Sequence, residues 1–132
     1  VAKITAAQRK DWRTLPLTDW NPLTFHAYFA DMNREHYGID EYLPTRNWGF
    51  EQRQLKVAIE SHGAVTLKAA FDEMFRTYRP TREYPILTAG FAISYRLNAE
   101  LARMRANQRR ANPQPYVNDD GNLTADEVAA WL

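Results

Sequence analysis

Residues 65–78 read VTLKAAFDEMFRTY. Leu67, Phe71, Met74, Phe75 and Tyr78 recur at steps of three and four, the period of one helix face. Pro80 follows and closes the helix. Working upstream, residues 48–62 put Leu55, Ala58, Ile59 and His62 on a shared face and end at Gly63. Working downstream, residues 81–85 form a polar turn. A long helix is predicted over 88–111, with a broad apolar face of Phe91, Ile93, Tyr95, Leu97, Leu101 and Met104. Beyond Met104 the chain reads Ala-Asn-Gln-Arg-Arg-Ala and has almost nothing to bury, so the helix is expected to project beyond the core or fray.

The outer segments continue the helical period. Asp19-Trp20-Asn21-Pro22 is a start signal: Asn21 caps, and Pro22 takes the first helical position, where its missing N–H costs nothing. Phe25, Tyr28, Phe29 and Met32 follow at helical spacing, and Gly38 stops a helix over 22–36. Residues 5–12 form a short helix capped by Thr5 and broken at Leu15-Pro16-Leu17, and residues 39–47 are a connector holding Pro44. Residues 112–115 (Asn-Pro-Gln-Pro) are a linker. Thr124-Ala125-Asp126-Glu127 is a capping box that opens a short acidic helix over 125–132. No run alternates as a strand does. The expected fold is all-α: a single-domain helical bundle of long helices over residues 1–111, with short terminal helices and an aromatic-rich N-terminal wrap.

Composition removes most chemistry. The chain has 132 residues, 45% hydrophobic and 25% charged, enough for one self-supporting core. With no cysteine, disulfides, thiolate metal sites and a cysteine nucleophile are excluded. His26, His36 and His62 are isolated, without metal-ligand spacing. Ser61 and Ser94 lie in no nucleophile elbow, and the five glycines form no phosphate loop. Asp40 with Glu41, and Asp72 with Glu73, are adjacent pairs pointing about 100° apart on a helix, so they do not converge on one substrate. No catalytic residue, cofactor or metal is expected. Asn118 to Glu127 resembles the second half of a calcium-binding EF-hand loop, but Tyr116 occupies the position that needs a carboxylate. A turn and a capping box account for the same residues. No stretch approaches a membrane span, so a cytoplasmic protein is expected.

Charge is more informative in its distribution than in its total of +1. Residues 95–112 carry Arg96, Arg103, Arg105, Arg109 and Arg110 against Glu100, a local +4. Residues 1–13 carry Lys3, Arg9, Lys10 and Arg13 against Asp11, and residues 116–132 carry four acids and no base. Arg96, Arg103 and Arg110 are seven apart and so share a helix face, and Arg105 and Arg109 add an i, i+4 pair. Such arginines suit phosphates of nucleic acid, DNA in the first instance, with Asn107 and Gln108 placed to reach base edges. The same stripe can be a solvated face with Glu100 paired to Arg96 and Arg103, or a surface for an acidic protein. Nine of the seventeen aromatics lie between Trp12 and Phe50. They supply core, or else Trp12, Trp20, Tyr37, Tyr42 and Trp48 form a patch for a protein partner. Basic helix and acidic tail can also pair between copies to build a homo-oligomer.

One helix ends in Ser61-His62-Gly63, and a second runs from Val65 to Tyr78. Pro80-Thr81-Arg82-Glu83-Tyr84-Pro85 and a helix with Tyr95-Arg96-Leu97 and a basic end follow. This layout, over residues 48–110, resembles helical phage replication accessory proteins of the replisome-organiser and helicase-loader class. The resemblance implies nucleic-acid or replisome binding without catalysis, with Arg96, Arg103, Arg105, Arg109 and Arg110 as contacts. The expected function is a non-catalytic nucleic-acid-binding accessory or regulatory protein. The alternative is a protein-interaction module: an adaptor, an inhibitor of a host enzyme, or an assembly component.

Overall fold

The computed structural model describes residues 3–111. Among them the helices are α1 (Ala6–Lys10), α2 (Pro22–Tyr37), α3 (Trp48–His62), α4 (Ala64–Thr77), α5 (Ala89–Phe91) and α6 (Leu97–Ala111). A 3₁₀ turn, Leu17–Asp19, precedes α2, and a π turn, Ala92–Arg96, joins α5 to α6. No strand occurs among the described residues, which are all-α. None of their helices is long and apolar enough to cross a membrane. The expected linker, acidic helix and half EF-hand loop, and the pairing of that tail with the basic helix, lie outside the described residues. The chain divides into two units, Val1–Leu101 and Ala102–Leu132, at a boundary inside α6.

The first unit follows its local signals closely. The Thr5 hydroxyl accepts from the Gln8 N–H in a capping box at α1. Asn21 caps α2 through the Thr24 N–H, with Pro22 at the first turn. Gly38 ends α2 at φ 72°, a left-handed geometry open to glycine. Gly63, at φ 83°, ends α3 and begins α4 with no second residue between them. That forces the chain to reverse at one residue, and α3 and α4 pack against each other.

The core is aromatic. Phe25, Tyr28 and Phe29 of α2 are fully buried against Leu67, Phe71, Met74 and Phe75 of α4, each at most 1% exposed. The Phe29 ring lies 4.8 Å from Phe71 and 5.2 Å from Phe75, centroid to centroid. Each such side chain stabilises the fold by about 1.5–3 kcal/mol relative to exposure. Trp12 and Trp20, from the loops before α2, stack edge-on at 6.1 Å. Trp12 Nε1 donates to Asp31, and Trp20 Nε1 to the Leu15 carbonyl, so neither indole is buried with its N–H unmet.

The predicted apolar face of the last helix needs one correction. Leu97 and Leu101 are buried as expected, but Tyr95 is 79% exposed. The buried residues step from Ala92 to Leu97, five apart, which is a π-turn interval. In an unbroken α-helix Tyr95 and Arg96 would lie beneath Ala92 on the buried side. The π turn instead rotates both out to the surface. Glu100, expected beside the solvated arginines, is 3% exposed.

Candidate functional site

Glu51 continues the buried face of α3, four residues before Leu55, and is 0% exposed. Both carboxylate oxygens are fully engaged. His26 Nε2 lies 3.1 Å from Oε1, and the Tyr42 hydroxyl donates to the same oxygen at 2.6 Å. The backbone N–H groups of Thr45 and Gly90 donate to Oε2 at 2.8 and 2.9 Å. Burial raises the Glu51 pKa, but these four donors outweigh it and hold the carboxyl at about 2, below its ordinary 4.5. Burial also pushes the Tyr42 phenol well above its usual range, with the Glu51 charge adding to it. Tyr42 Oη in turn accepts from the Ala89 N–H at 2.8 Å. One anion thus ties α2, the 39–47 connector and the first turn of α5.

The same contact explains Gly90. A Cβ there would lie 2.7 Å from Thr45 Oγ1 and 2.9 Å from Glu51 Oε2. Gly90→Ala is expected to destabilise by about 1–3 kcal/mol through overpacking. Gly49→Ala, in the first turn of α3 with its nearest neighbour at 3.4 Å, should be neutral or stabilise by up to about 1 kcal/mol. Thermal melts of the two variants check the opposite signs.

Above this network lies an open groove of about 730 Å³. One wall comes from the connector, the other from residues 83–88 and the helix that follows. The Thr45 and Thr88 hydroxyls join the walls at 2.6 Å. Tyr84 and Phe91 stack in parallel, 5.5 Å apart, and Tyr95 adds a third ring 5.3 Å from Phe91. Leu43, Tyr84 and Tyr95 are each more than half exposed. Glu41 and Glu83 are the charged residues lining the groove.

Of the five aromatics offered as core or as a partner patch, most are core. Trp12, Trp20 and Tyr42 are 8%, 5% and 8% exposed and present no face to a partner. Tyr37 is half-buried and donates to the Phe75 carbonyl. Burial raises its phenol to about 12. Trp48 alone of the five is exposed, and its ring packs 4.8 Å from His26. The exposed rings of this unit are instead Tyr84 and Tyr95, with Trp48.

The arginines fall in both units. Arg96 belongs to the first, exposed, with its guanidinium 5.4 Å from the Tyr78 ring centroid and 6.0 Å from Phe91. Arg103, Arg105, Arg109 and Arg110 belong to the second and are exposed, and none of residues 102–111 is buried. At about 100° per residue, Arg103 and Arg110 form one row while Arg105 and Arg109 form another centred about 130° around the helix. The two rows therefore flank the helix rather than making one stripe. Asn107 and Gln108 lie on the face between them, and Arg110 donates to Asn107 at 3.0 Å.

His26 is an internal hydrogen-bonding residue, and His36 stacks on Phe75 at 5.8 Å. Asp72 accepts from Tyr28 and Lys68, and Glu73 pairs with Arg76. No group of three or more acidic or histidine side chains is placed to hold a metal among the described residues. The sequence reading missed Glu51 and the groove. Nothing in the spacing of Phe91, Ile93, Tyr95 and Leu97 marks the π turn in advance. No protein-family model, curated protein or solved structure matches this chain.

Proposed function

We propose that this chain is a non-catalytic nucleic-acid-binding accessory protein that contacts phosphates through Arg103, Arg105, Arg109 and Arg110. The supporting observation is that residues 102–111 form helix, are exposed apart from half-buried Met104 and Ala106, and present four arginines in two flanking rows. A helix about 10–12 Å wide fits a duplex major groove about 12 Å wide. In that seat each row faces one phosphate wall, and Asn107 and Gln108 face the base edges. Duplex DNA is therefore the favoured ligand. A helical bundle with an aromatic N-terminal wrap is its scaffold, and the resemblance of its sequence layout to phage replication accessory proteins gives the reading its context.

Fluorescence anisotropy tests this directly. Labelled duplex and single-stranded DNA of equal length are titrated with the full chain at about 50 mM salt, where phosphate contacts are strongest. Binding to the duplex, tighter than to the single strand, is expected. No binding to either overturns the reading.

A further inference from the structure

We propose that the Tyr84–Phe91–Tyr95 groove docks a cationic segment of a partner protein, one carrying Lys or Arg beside apolar side chains. This inference is independent of the nucleic-acid reading, since it uses other residues and the opposite charge.

Contiguity sets these apolar residues apart from ordinary exposed ones. Single exposed apolar residues are common, but Leu43, Tyr84 and Tyr95 line one groove, at 61%, 56% and 79% exposure. The groove is also held in shape. The Glu51 carboxylate fixes Thr45 on one wall and Gly90 beside the other, and the Thr45–Thr88 bond spans them. A preformed groove binds without the cost of ordering its own walls. The π turn is what presents Tyr95 to it, and such turns are frequent at functional positions.

Charge and shape name the occupant. The groove's lining charges are two glutamates, while the exposed Tyr84 and Tyr95 rings offer π surface for cation–π contact. A phosphate backbone is repelled there, and so is an acidic peptide. A small ligand needs roughly 70–90% of its surface enclosed, which a groove this exposed does not give. A polypeptide lying across it, with a guanidinium or ammonium between Glu41 and Glu83 and an apolar side chain on the rings, meets both features.

A displayed library of random dodecapeptides, selected on the full chain, provides the test. The selected peptides should be rich in Arg or Lys next to Leu, Phe or Trp. Their affinity should fall about tenfold or more on Tyr95→Ala and on Glu41→Gln with Glu83→Gln, as at an interface hot spot. It should hold on Arg105→Ala with Arg109→Ala, which separates this site from the arginine helix. All five substituted side chains are exposed, and unchanged melting temperatures confirm that the variants fold. A library that yields no binder, neutral or acidic binders, or binders indifferent to the groove variants overturns the proposal. So does a dimer, seen by light scattering, that the groove variants dissociate, because a second copy would then be the occupant.

Discussion

Glu51→Ala should lower stability by about 3–5 kcal/mol, the usual cost of removing one partner from a buried charged network. That is a large share of the roughly 5–15 kcal/mol that holds a domain together. The reason is what remains behind. The His26 ring, the Tyr42 hydroxyl and the Thr45 and Gly90 N–H groups all lose their acceptor in a buried setting. Chemical denaturation of the variant and the parent at neutral pH measures the difference.

The pH dependence follows with a definite sign. The folded-state pKa of Glu51 is about 2, below its ordinary 4.5. A depressed carboxyl contributes stability above its unfolded pKa and loses it as pH falls through the folded value. The contribution is about 3 kcal/mol, fully present above roughly pH 4.5 and gone near pH 2. The stability gap between the parent and Glu51→Gln should therefore narrow as pH falls through that window. A constant gap from pH 5 to pH 2 would remove the buried anion from the account.

Replacing Arg103, Arg105, Arg109 and Arg110 together with Ala should abolish DNA binding and leave the melting temperature close to that of the parent. None of the four is buried, so little packing is lost. The paired variants are more discriminating. Arg103→Ala with Arg110→Ala removes one row, and Arg105→Ala with Arg109→Ala removes the other. A helix seated between two phosphate walls loses about half its counterion release in each case. A helix lying on one side against a single strand loses nearly all binding in one pair and nothing in the other. Loss of binding in only one pair would reject the groove-seated geometry.

How much of this was legible in the sequence depended on the range of the interactions. Asn21 with Pro22, Gly38 and Gly63 act within one helical turn, and their positions set the ends of α2 and α3 as the sequence predicts. The stripe on α4 is buried throughout because its period is local too. Glu51 was not legible, because its partners stand 25, 9, 6 and 39 residues away and no short motif links them. Trp12, Trp20 and Tyr42 show the same limit. Their composition favours core but leaves a patch open, and the packing of loops onto α2 decides for core. The π turn was not legible either, because turning Tyr95 outward depends on Ala92 and Leu97 both finding the core.

The most direct measurement of the central claim is the salt dependence of duplex DNA binding by the unmodified chain. If Arg103, Arg105, Arg109 and Arg110 each neutralise one phosphate, the slope of log K against log salt is about −3.6. Affinity then falls about a hundredfold between roughly 50 and 200 mM salt. A slope flatter than about −1, or no binding at the lower salt, would contradict phosphate contact by the four arginines.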